Sequence, residues 1–210
     1  MVTYMKHLKE QLILANKYFK ENIFKLFVIL LICFFAVGVI SYFAMISMPQ
    51  YAADFYDYIS EIMDSSGAIK EDGSISAVGI FINNLRASVF TYLYGFVPFV
   101  FLPVWAMIMN SSIVGIMLGI VDVVSAESVL MTIIKFLLPH GIFEIPSLIL
   151  STSLGTKLCF IICKKIFGKA KDEKLLFHLK NYFRICIFYL LPLLIIAAFI
   201  EGVILPKIFM

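Results

Sequence analysis

Residues 24–46, FKLFVILLICFFAVGVISYFAMI, carry a single charge, at Lys25. The run exceeds the ~20 apolar residues that an α-helix needs to cross the hydrocarbon core of a bilayer. Three more stretches of this kind follow, at Val78–Val121, Ser128–Cys163 and Ile185–Ile208, and the middle two are each longer than one span requires. Hydrophobic residues make up 62% of the 210 and charged residues 15%, too much apolar surface for a soluble domain of this length to hide. The expected fold class is therefore all-α, a polytopic transmembrane helical bundle forming one membrane domain over residues 24–210.

The loops differ in charge. Residues 1–25 hold five lysines against two glutamates, and residues 164–184 hold seven Lys/Arg against two acids. Residues 47–76 hold six acids against one lysine. Basic flanks favour the cytoplasmic side, so the N-terminus and the 164–184 loop are expected inside and the acidic 47–76 loop outside. Residues 1–23 read as a cytoplasmic N-terminal segment, with Leu8–Asn22 either amphipathic on the inner surface or a solvated lead-in to the first span. They do not read as a cleavable signal, because the charged region and the apolar run after it are both too long. No concentrated basic surface with readout residues points to nucleic acid. The bilayer itself is the expected partner.

Parity then fixes the path. The first span runs outward and Val78–Val121 makes two passes, with a turn expected near Met109–Ser112. The loop Asp122–Glu127 is outside, and Ser128–Cys163 must return to the basic loop. Pro139-His140-Gly141 and Pro146 interrupt that return, predicting a broken or re-entrant helix near Pro139 before one full crossing. Ile185–Ile208 runs outward again. The total is five crossings, with the N-terminus inside and the C-terminus outside.

The few polar residues within the spans are the main clue to function. Asn83, Asn84, Arg86, His140, Glu144 and Glu201 form the expected buried polar cluster, with Asn110 and Lys135 also inside apolar segments. Ionisable groups at such depth face the bundle interior and pair. His140 and Glu144, four apart, share a helix face, and Arg86 is the expected counter-charge to Glu144 or Glu201. The cluster reads either as a proton- or ligand-responsive site with His140 titrating, or as a polar clasp that fixes packing. His140 and Glu144 resemble half of a helical zinc motif whose second histidine is absent, so no metal or other cofactor is expected. No nucleophile–base pair is evident, so no enzymatic activity is expected. Cys33, Cys159, Cys163 and Cys186 read as small apolar fillers.

The order of these elements resembles the stage II sporulation protein M family of integral membrane proteins. The matching pieces are Phe81-Ile82-Asn83-Asn84-Leu85-Arg86, Gly95, Asn110 with Gly115 and Gly119, and His140-Gly141-Ile142-Phe143-Glu144. Gly155 and Ala197-Ala198-Phe199-Ile200-Glu201-Gly202 complete the set, over about residues 20–208. The resemblance implies a membrane scaffold in engulfment during sporulation, which recruits and positions membrane-associated peptidoglycan hydrolases without being one. Asp54, Asp57, Glu61 and Asp64, in the acidic outer loop, are then the docking candidates. The rival reading is a transporter of a small solute, ion or lipid, supported by the interrupted helix and the ionisable cluster.

Overall fold

In the computed structural model, residues 2–52, 54–55, 76–125, 128–169 and 174–209 are described. They are helical almost throughout, with no strand among them. Helix α1 (Val2–Tyr18) passes through a π-helical turn, Phe19–Ile23, straight into α2 (Phe24–Ile46). Helix α3 (Ala77–Leu93) starts at Ser76, whose hydroxyl accepts from the Gly79 amide and so satisfies one of the helix's unpaired donors. Helix α4 (Leu102–Val124) follows a tight turn. A short α5 (Val129–Thr132) and a π-turn, Ile133–Leu137, lead into α6 (Leu138–Ile166). The last pass is α7 (Leu175–Ile185), α8 (Leu191–Phe199) and α9 (Leu205–Phe209), joined by π-turns at Cys186–Leu190 and Ile200–Ile204.

Three of these π-turns share a cause. Pro139, Pro192 and Pro206 each stand two residues beyond the end of one. Proline has no N–H to donate, and its ring clashes with the carbonyl four residues back. Those carbonyls belong to Lys135, Phe188 and Gly202, the central residues of the three turns. Widening the helix there relieves the clash and keeps the backbone paired, as lipid demands. The interruption expected at Pro139-His140-Gly141 thus lies one turn earlier, at Ile133–Leu137, and the chain continues through it as helix.

Four helical segments are long and apolar enough to cross a membrane: Met5–Ile46, Leu102–Val124, Leu138–Ile166 and Leu175–Ile208. Helix α3 has 17 residues, about 26 Å at 1.5 Å per residue, a little short of a full span. Helix α6 is the central one. In its most apolar window 67% of residues are buried, against 17–28% in the other three. Ile32, Phe35, Ile40, Ile113, Ile195 and Phe199 are all more than half exposed, an apolar outer belt that lipid covers. The chain is a multi-pass membrane protein.

The turn expected at Met109–Ser112 is not there, because α4 runs straight through it. Its polar residues are satisfied without leaving the helix. The Asn110 side chain donates to the Ala106 carbonyl (2.8 Å), and the Ser111 hydroxyl donates across to the Phe34 carbonyl of α2 (2.5 Å). The chain reverses at residues 97–101 instead. Phe99 and Phe101 take left-handed backbone (φ 68° and 51°), and Pro103 sits in the first turn of α4, where its missing N–H is harmless.

Helices α2 and α4 lie parallel and close. Gly38 meets Gly115, and a Cβ on Gly115 would stand 2.1 Å from the Gly38 carbonyl oxygen. Such contacts between small residues let backbones approach in lipid, where van der Waals packing replaces the hydrophobic effect. Further along, Tyr42 donates to Asp122 (2.7 Å). Helix α1, expected as an amphipathic segment leading to the first span, is continuous with α2 and packs against α7. There the Tyr18 hydroxyl and His178 Nδ1 hydrogen-bond at 2.5 Å and Arg184 donates to Gln11 (2.6 Å), and from the π-turn after α7 Tyr189 donates to Asn16. All four cysteines are free thiols, and the buried Cys159 donates to the Val97 carbonyl (3.5 Å).

Candidate functional site

Pro139 opens α6 and places His140 and Glu144 on one face, one turn apart. His140 Nε2 lies 3.8 Å from Glu144 Oε2. The other oxygen of Glu144, Oε1, accepts a hydrogen bond from the Asn84 amide of α3. Glu201 arrives from the π-turn Ile200–Ile204 of the last pass. Its approach depends on Gly202, where a Cβ would stand 2.4 Å from the Ala77 Cα at the start of α3. One ligand atom from each of His140, Glu144 and Glu201 lies within 4.8 Å of the others. All three residues are partly buried.

Of the polar residues at the start of α3, only Asn84 enters this cluster. Asn83 and Arg86 are exposed, and Arg86 makes no ion pair with Glu144 or Glu201 within 4.0 Å. Helix geometry explains the split. A residue two positions on lies about 200° round the axis, so Asn84 and Arg86 point to opposite sides. The expected Arg86 counter-charge is therefore absent from the cluster, and an amide takes its place beside Glu144. Lys135 lies in the π-turn before Pro139, partly buried. Asp54 is exposed just beyond α2, whereas Asp57, Glu61 and Asp64 lie outside the described residues.

Glu144 and Asn84 also line a cavity of about 250 Å³, together with Ser88, Asn110 and Ser147. The Ser147 hydroxyl donates to the Glu144 backbone carbonyl at 2.7 Å. An apolar cleft of about 400 Å³ adjoins it and shares Phe34, Val114, Leu137 and Ile145. Ser88 and Ser147 were not legible as site residues. The available signal was spacing, since Ser88 stands one turn beyond Asn84. The site's chemistry is that of two carboxylates, an imidazole and an amide, suited to holding a proton or a cation.

A helical membrane bundle with an intramembrane His–Glu–Glu cluster is the class that these features define. The chain belongs to the stage II sporulation protein M family, whose family model matches residues 9–206. It is also similar to an uncharacterized protein of Methanocaldococcus jannaschii, 30% identical over 129 residues, which are 61% of this chain and 70% of that one. No solved structure matches. Each element of the polar cluster lies within the matched range.

Proposed function

We propose that this protein is a non-enzymatic scaffold of a peptidoglycan-remodelling membrane complex, as in engulfment during sporulation. In that role it recruits and positions membrane-associated cell-wall hydrolases. The observation that carries the reading is membership of a sporulation family over nearly the whole chain. The N-terminus and the 164–184 loop face the cytoplasm, and the acidic 47–76 segment and the C-terminus face outward. Two features support this arrangement. The basic segments carry the sign expected inside, and α1 packs on α7, which keeps the two basic segments near one another. Asp54, Asp57, Glu61 and Asp64 dock the partners.

The test is capture from gently solubilised membranes of the source organism. Recovery of peptidoglycan hydrolases with the tagged chain supports the scaffold. Their loss on neutralising the four acids together, with insertion intact, assigns the docking surface. Recovery without any wall hydrolase rejects the reading. The cavity beside Glu144 favours a second one, transport of a small solute or ion. Uptake or efflux by the purified chain in proteoliposomes, abolished by Glu144→Gln, would select it over the scaffold.

A further inference from the structure

We propose that His140, Glu144 and Glu201 bind one divalent first-row transition-metal cation, of which Zn²⁺ is the probe, at the edge of the polar cavity. Such a site is independent of the scaffold reading. One imidazole nitrogen and one oxygen from each carboxylate are ligand types that Zn²⁺ accepts, and a three-ligand set leaves a further position open. At about 2.1 Å from a tetrahedral ion, ligand atoms stand roughly 3.4 Å apart. His140 and Glu144 are already at 3.8 Å. The three atoms lie within 4.8 Å of one another, so rotation of side chains closes the set without moving a helix.

Two observations point to a cation site. The first is the imidazole. Its Nε2 is beyond hydrogen-bond distance of Glu144, and its Nδ1 is buried with no hydrogen-bond partner. A neutral imidazole carries its proton on one nitrogen and offers the other as an acceptor, the position a cation takes. The second is charge. Glu144 and Glu201 stand together in helices that cross the membrane, with no Lys or Arg within 4.0 Å among the described residues. One dication balances two carboxylates and a neutral imidazole. A proton shared between the carboxyl groups would relieve their repulsion but engage neither nitrogen of the imidazole, whereas one cation engages one of them. Asn84 completes the arrangement as a positioning residue. By donating to Oε1 of Glu144, it leaves Oε2 turned towards His140. Amides and carbonyls commonly orient metal ligands in this way.

The test uses the full chain in detergent or nanodiscs, stripped with chelator and desalted. On adding Zn²⁺ and gel-filtering, elemental analysis should find one retained equivalent and the melting temperature should rise, since a ligand that binds only the folded state stabilises it. Glu201→Gln, nearly isosteric, should elute as a folded protein, keep its helical circular dichroism and lose the equivalent. Asn84→Ala should weaken binding about 10–100-fold. Co²⁺ titration of the wild-type chain needs no variant, and intense visible d–d bands saturating at one equivalent support the site. Wild-type retention no greater than that of Glu201→Gln overturns the proposal. So does a Co²⁺ spectrum identical to that of the aquated ion. A Glu201→Gln chain that melts higher than the metal-free wild type, with no response of either to Zn²⁺, would assign a proton-sharing carboxyl pair instead.

Discussion

Asn84 and Arg86 are separated by one residue and by half the circumference of a helix. In sequence either could partner a buried glutamate, and charge favours Arg86. The side of α3 that faces α6 decides for Asn84. Asn84→Leu removes the amide donor and leaves Glu144 with an unmet lone pair, a loss of about 1–3 kcal/mol. Thermal melting in detergent should show it. Arg86→Met should change the same melting curve by no more than about 0.5 kcal/mol, as for a side chain outside the packed interior. An Arg86→Met loss as large as that of Asn84→Leu would return the arginine to the cluster. His140 and Glu144 were legible as a pair because helical spacing alone puts them together. Glu201 could be grouped with them only by the expense of a charge in the membrane, and its actual approach rests on the Gly202–Ala77 contact.

At the scale of elements, prolines and glycines govern the architecture. Pro139 and Pro206 convert the turns before them into π-helix, and those two turns adjoin or contain His140 and Glu201. π-Turns occur often at functional sites, and here the sequence supplies a steric reason for each. The glycine contacts set how closely helices approach. Gly115→Leu should push α2 and α4 apart, because even the first added carbon meets the Gly38 carbonyl oxygen. Overpacking of this kind costs about 1–3 kcal/mol or more. The expected result is a sharp fall in the folded fraction measured by fluorescence-detected size exclusion. Gly79→Ala should be tolerated, since its nearest neighbour would be at an ordinary 3.5 Å. Equal behaviour of the two variants would contradict the close crossing. The misplaced turn is an element-scale lesson too. Asn110, Ser111 and Ser112 resemble a turn in composition, yet hydrogen bonds to a carbonyl one turn back or on the next helix let polar side chains stay in a span.

Across the whole molecule, the chain's beginning is tied to its final pass. Tyr18 and His178 are 160 residues apart and hydrogen-bonded, and Gln11–Arg184 and Asn16–Tyr189 each join residues 173 apart. Tyr18→Phe should destabilise the fold by about 0.5–1.5 kcal/mol, the net contribution of one intramolecular hydrogen bond. Limited proteolysis between residues 166 and 175 should accelerate in parallel. Unchanged cleavage would mean that α1 does not hold α7 in place. The path of the chain is testable by reporter insertions. Insertions after Phe99 and after Gly168 should both read cytoplasmic, and one at Gly67 should read outside. An outside reading at Phe99 would break the alternation of α3 and α4. Insertion after Ser112, inside α4, should abolish folding instead of reporting a side.

The sequence by itself determined that this is a helical membrane protein. Long uncharged apolar runs have no other stable home, and in lipid only structures that pair every backbone group persist. It also determined that His140 and Glu144 share a face, since local spacing suffices for that. It could not choose which residue of α3 meets Glu144, place the turn at residues 97–101, or bring α1 onto α7. Those outcomes depend on how helices rotate about their axes and how closely they approach, quantities set by side-chain packing between segments far apart in the chain. Only the tertiary structure put Asn84, rather than Arg86, beside two carboxylates and an imidazole.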